Sequence, residues 1–160
     1  CYISVERNGY KHDDICDLNS KFSVAQSIIY CNSKKVVDDL SMKLNDNGYA
    51  VQSIHGKMSQ HERNEIMKGF RSGESRILVS TDLLCRGIDI QQVSVVINYD
   101  IPQNVENYLH RIGRSGRFGR KGLAINFMTY YDIKTLREIE RYYSTQIQEL
   151  PDLNSISMFN

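Results

Sequence analysis

The sequence predicts a three-layer α/β domain with a mainly parallel sheet and helices on both faces. Short β-branched runs alternate with stretches of helical apolar spacing. The helical stretches carry start and stop signals, and strands that recur once per helix are the pattern of βαβ units. With 160 residues, 41% hydrophobic and 24% charged, the chain can bury one core of ordinary size, so one domain over 1–160 is expected.

The expected strands are Ser27 to Cys31 (SIIYC), Ala50 to Ile54 (AVQSI), Arg76 to Ser80 (RILVS), Val93 to Tyr99 (VSVVINY) and Leu123 to Phe127 (LAINF). Between them, Ser33 to Asn47 places Val36, Val37, Leu40 and Leu44 on one helical face and stops at Asn47-Gly48, where the backbone turns left-handed. The next helix opens on Ser59-Gln60-His61-Glu62, a capping box, then turns Ile66, Met67 and Phe70 inward before Gly73. Asn104 to Ile112 and Tyr131 to Ser144 are two further helices, the last with Ile133, Leu136, Ile139 and Tyr143 along its inner side.

Twenty Lys and Arg against nineteen Asp and Glu leave a formal charge of +1, so global charge argues for no class of partner and any basic site must be local. No apolar run approaches the roughly 20 residues of a bilayer span, and no signal peptide opens the chain, which leads us to expect an intracellular, cytoplasmic protein without a membrane partner. Cys1, Cys16, Cys31 and Cys85 form no Cys-x-x-Cys pair and have no His at ligand spacing, so no metal site is expected and reduced thiols are. The chain starts at a cysteine rather than a methionine, which suggests a piece of something longer.

Parallel sheets hold ligands at the carboxyl ends of their strands, so the segments that follow the strands are where chemistry is sought. The densest is His110 to Gly122 (HRIGRSGRFGRKG), where Arg114 and Arg117 stand beside glycines that let a guanidinium approach phosphate oxygens. Alone it also reads as a flexible Arg-Gly tract, but patterned helix and strand flank it directly. After RILVS comes Thr81-Asp82-Leu83-Leu84-Cys85-Arg86-Gly87-Ile88-Asp89. Thr81 could donate to a phosphate and Asp89 accept from a ribose hydroxyl, or Thr81-Asp82 could form a capping turn with Arg86 and Asp89 as a local ion pair. Gln60 and Arg63 share the first turn of a capped helix, near its positive end, a place that suits a phosphate and equally a surface salt bridge. Asn32-Ser33 and His55-Gly56 divide in the same way between cap or turn duty and phosphate contact.

In their order and spacing, IIYCNS, IHGKMSQHERNEIM, ILVSTDLLCRGID, VINYDIP, YLHRIGRSGRFGRKG and GLAINF resemble the C-terminal RecA-like domain of DEAD-box RNA helicases over nearly the whole chain. The tail LREIERYYSTQI followed by ELP is similar to the translation initiation factor 4A subgroup, while the branch that represses and decays mRNA shares RGIDIQ and YLHRIGRSGRFG. The resemblance implies that Arg114 and Arg117 are arginine fingers on the γ-phosphate of ATP, with Gly87 and Asp89 at the nucleotide. It also implies that His110 and Arg111 hold the interface between lobes, and that Asn32, Ser33, Gly56, Gln60, Arg63, Thr81 and Arg86 form a sequence-independent track for the RNA backbone. The cofactor implied is ATP with Mg. The partners implied are single-stranded or duplex RNA, an N-terminal RecA-like lobe of the same protein and a helical-repeat scaffold.

Three positions depart from the family's pattern: Tyr30 for the usual Phe, Ser33 for Thr and Cys85 for a small Ala. Ser33 keeps the hydroxyl. A larger departure is that no Gly-x-x-x-x-Gly-Lys-Ser/Thr loop and no Asp-Glu-Ala-Asp sequence occurs in these residues. The phosphate cradle and the magnesium ligand are therefore expected on an N-terminal lobe, and this lobe alone is expected to be inactive. The rival reading is a non-catalytic module that docks RNA or a scaffold with the same fold; a DNA-directed relative is a third.

Overall fold

The computed structural model describes residues 2–4, 26–81, 93–112 and 123–149. Strands β1 (Tyr2–Ser4), β2 (Gln26–Cys31), β3 (Val51–Ile54), β4 (Ile77–Thr81), β5 (Val93–Asn98) and β6 (Leu123–Met128) form one six-stranded sheet in the order β1-β6-β5-β2-β4-β3. Every pair is parallel. The helices are α1 (Lys34–Asp46), α2 (Gln60–Ser72), α3 (Val105–Ile112) and α4 (Ile133–Tyr142), the last preceded by a 3-10 turn at Tyr130–Asp132. All five expected strands are present to within a residue or two at each end. The short edge strand β1 is an addition, since three residues carry no readable alternation.

The two faces of the sheet bury different helices because successive strand residues point to opposite sides. Ile29, Cys31, Val79, Val95, Ile97, Ile125 and Phe127 meet Val37, Leu40 and Leu44 of α1. Ile28, Tyr30, Leu78, Val93 and Val96 meet Met67 and Phe70 of α2. A third cluster gathers Tyr108 of α3, Leu136 and Ile139 of α4, Met128 and Ile147. The helix signals act as the sequence led us to expect. Ser33 caps α1 by accepting from the Val36 N–H at 3.3 Å. At α2, Ser59 Oγ accepts from the Glu62 N–H at 3.1 Å while the Glu62 carboxylate accepts from the Ser59 N–H at 2.9 Å. Gly48 and Gly73 both adopt φ of +88°, a conformation a side chain would strain, and each ends its helix there.

The last helix differs from expectation. It begins only after the 3-10 turn, which rotates Ile133 outward to 38% exposure, so Leu136 and Ile139 alone carry its inner face. Tyr143, at its C-terminal cap, is half-buried, and its hydroxyl donates to the Val105 carbonyl at 2.7 Å, tying α4 to α3. The following segment folds back so that the Ile147 N–H donates to Glu140 at 3.1 Å. That bond, with Arg137 also bonded to the carboxylate, holds Glu140 below its ordinary value of 4.5 despite an opposing contribution from burial.

Ser59→Ala removes one half of the capping box and is expected to lower the unfolding free energy by about 1 kcal/mol in urea denaturation. A carboxyl whose value is depressed on folding stabilises above its unfolded value and loses that contribution as the pH falls through the folded one. Glu140→Gln is therefore expected to lower the melting temperature near neutrality, with the difference from wild type shrinking as both proteins are taken well below pH 4.5.

Candidate nucleic-acid interface

β4 lies between β2 and β3 in the sheet, while the loops leaving β2 and β3 turn toward opposite faces to start α1 and α2. That divergence opens a cavity of about 400 Å³ over the carboxyl end of β4. Its walls are Asn32, Ser33 and Lys34 on one side and His55, Gly56 and Lys57 on the other, with Thr81 between them. Thr81 is buried, and its Oγ1 has no hydrogen-bond partner among the described residues. An orphaned buried hydroxyl is unfavourable unless something else completes it. Arg63, on the first turn of α2, reaches back to the rim and donates from Nη2 to the Gly56 carbonyl at 2.7 Å, while its Nε is buried without a partner among the described residues. Gln60 shares that turn but stands outside the wall, donating to Asn64 at 2.9 Å. Lys34, whose ammonium also pairs with Asp38 at 3.1 Å, Lys57 and the unpartnered Thr81 hydroxyl and Arg63 Nε are groups that can meet phosphate oxygens and sugar hydroxyls.

Beside the cavity, the gap between β2 and β5 is closed by polar contacts. The Asn32 N–H donates to Asp100 Oδ2 at 2.9 Å and Asn32 Nδ2 to the Ile101 carbonyl at 2.9 Å. Arg111 of α3, 0% exposed, forks across the gap: Nη2 donates to Asn32 Oδ1 at 2.8 Å, and Nη1 to the Asp100 carbonyl at 2.6 Å and Asn98 Oδ1 at 3.1 Å. Its guanidinium lies over the Tyr30 ring, 5.4 Å from the centroid, a favourable place for a desolvated cation. Behind it, Asn98 Nδ2 donates to Asn126 Oδ1 at 2.7 Å and Asn126 Nδ2 to the Tyr108 hydroxyl at 3.2 Å. Burial raises the Tyr108 phenol above its ordinary value of 10.0, with the Asn126 bond a smaller opposing effect. Burial also pushes Tyr99 up to about 12, with Cys31 and Asp100 adding to the shift.

Residues 10–119 match the family model described as the helicase conserved C-terminal domain. The isolated C-terminal domain of the DEAD-box protein Dbp5 superimposes with a TM-score of 0.88 at 34% identity, covering 99% of this chain and 94% of that one. This chain belongs to the DEAD-box helicase family. Saccharomyces cerevisiae Dbp5 bound to RNA and ADP BeF3 is similar to the DEAD-box domain with a TM-score of 0.91 and 34% identity, over 98% of this chain and 43% of that one. Two curated relatives are each 59% identical over 150 residues, 94% of this chain: the ATP-dependent RNA helicase eIF4A of Kluyveromyces lactis and the ATP-dependent RNA helicase FAL1 of Yarrowia lipolytica. The domain spans 38% of the length of each.

Of the residues the sequence singled out, the structure gathers Asn32, Ser33, Gly56 and Thr81 around one cavity, with Arg63 at its rim and Gln60 further out. Arg111 is fully buried within the domain. His110 is in α3, whose bounds include it. Arg86, Gly87, Asp89, Arg114 and Arg117 lie outside the described residues, as does Cys85. Sequence reasoning passed over Asn98, Asn126 and Lys34. The first two had a readable signal, because an asparagine inside a buried β-branched run is uncommon enough to need a reason.

Arg111→Met keeps much of the volume but leaves Asn98 Oδ1, Asn32 Oδ1 and the Asp100 carbonyl without their shared donor. It is expected to destabilise the domain by about 2 kcal/mol in urea denaturation.

Proposed function

We propose that this chain is the C-terminal lobe of an ATP-dependent RNA helicase that acts on mRNA in the cytoplasm, and that the β2–β4–β3 cavity receives the sugar-phosphate backbone of RNA. The observation that carries this reading is the cavity itself. Ser33, Gly56, Lys57 and Thr81 converge at one sheet edge with a buried hydroxyl that lacks a partner among the described residues. No Phe, Tyr or Trp ring on which a base could stack lines the cavity among the described residues, which favours contact with the backbone over readout of sequence. That Dbp5, whose fold this chain matches over nearly its full length, is bound to RNA supports RNA as the ligand class.

In the complete protein, ATP with Mg would sit between this lobe and an N-terminal RecA-like lobe that supplies the phosphate cradle and the magnesium ligand. Arg114 and Arg117 would reach the γ-phosphate, and Gly87 and Asp89 the nucleoside. Fingers of this kind are worth on the order of 10³ to 10⁵ in rate because they stabilise charge on the transferring phosphoryl group. Closure of the two lobes on RNA would couple hydrolysis to local loss of base pairing. The name eIF4A among the relatives supports a role in translation initiation, in which a helical-repeat scaffold would be the partner; the alternatives are a lobe of the mRNA repression and decay type, or a non-catalytic module that binds RNA or a scaffold.

Arg114→Ala and Arg117→Ala in the complete protein are each expected to abolish RNA-stimulated ATP hydrolysis while RNA binding persists. Wild-type turnover in both variants would sink the finger assignment.

A further inference from the structure

Tyr30, Asn98 and Asn126 face one another at one level of the sheet, paired across β2–β5 and β5–β6. Asn98 and Asn126 are both 0% exposed. Apolar residues would fill this level without any polar group to desolvate. What the asparagines add is direction. A guanidinium is donor only, so Asn98 must turn its oxygen toward Arg111. That leaves the Asn98 NH2 facing Asn126, which must answer with its own oxygen. The Asn126 NH2 then points at the Tyr108 hydroxyl, and each amide is fixed in one of its two orientations by the next.

The outer end of this chain of bonds is Asn32, held by Arg111 on its oxygen and by the Ile101 carbonyl on its nitrogen. Asn32 opens the loop that carries Ser33 and Lys34 into the cavity wall. We propose that Asn98, Asn126 and Tyr108 are positioning residues that act through Arg111 to hold the β2–α1 loop in the orientation that receives the RNA backbone. None of the three lines the cavity. The proposal rests on the RNA reading above and adds to it how the RNA-facing loop is set from inside α3.

Tyr108→Phe removes only the terminal acceptor, and Asn126→Leu removes the link itself. In the complete protein, binding of a single-stranded uridine oligoribonucleotide is expected to weaken about threefold in Tyr108→Phe and about tenfold in Asn126→Leu, within the range of coupled neighbours. Both variants are to be measured at a temperature well below their melting transitions. The discriminating readout is a double-mutant cycle: in an Asn32→Ala background the Asn126→Leu effect should vanish, because the loop is already uncoupled. A purely structural role would lower the melting temperature and leave RNA affinity where it was. Wild-type affinity in Tyr108→Phe and in folded Asn126→Leu overturns the proposal, as does an Asn126→Leu effect that survives undiminished in the Asn32→Ala background. If Asn126→Leu fails to fold, Tyr108→Phe and its own cycle with Asn32→Ala decide. A wild-type protein that does not bind the oligonucleotide overturns the RNA reading and this inference with it, which is a distinct result from binding that the variants leave unchanged.

Discussion

A buried guanidinium sets the terms for the rest of this domain. Arg111 is removed from water, and a desolvated cation is tolerable only where oxygens and an aromatic face replace its hydration shell. Asn32, Asn98, the Asp100 carbonyl and the Tyr30 ring supply that replacement, and they come from two different parts of the chain, β2 with its loop and β5 with its loop, while α3 carries the arginine. Losing any one would leave the others facing an incompletely solvated charge, so the carboxyl ends of β2 and β5 are constrained together with the helix that carries the arginine. The adjoining cavity inherits one of its walls from this constraint.

The two polar regions at the sheet edge obey opposite rules. Around Arg111 the guanidinium and the asparagine amides find matched partners in one continuous chain, which is what a low-dielectric interior demands. Around Thr81 and Arg63 the matching is incomplete, and each has a buried polar atom with no partner among the described residues. A matched network rigidifies and an unmatched one waits for a ligand. Their adjacency puts a rigid support directly behind a receptive surface, an arrangement suited to holding a flexible polyanion in one register.

Most of the fold was legible because its signals are local and redundant. The α2 capping box, the Asn47-Gly48 stop and the β-branched runs each specify an element from a handful of residues, and the structure agrees with them closely. The outward turn of Ile133 was not legible, since it follows from a 3-10 turn whose register periodicity cannot report. At the site, the separate segments after β2, β3 and β4 could be named from sequence, but their convergence on one cavity depends on β4 lying between β2 and β3. The interior place of Arg111 was hidden for a related reason. A lone arginine on a short helix ordinarily reads as a surface charge, and its acceptors, Asn32, Asn98 and the Asp100 carbonyl, lie in strands and loops distant in sequence.

The position of β4 between β2 and β3 also bears on how the chain assembles. β3 follows β2 in sequence yet touches only β4 in the sheet, so once α1 has formed, β3 has no backbone partner until α2 and β4 have followed it. Non-local parallel pairing of this sort is slow, because loop closure must precede the contacts that reward it. During synthesis β3 emerges before β4, so until β4 follows, the packing that α1 offers to Val51 is what shields it.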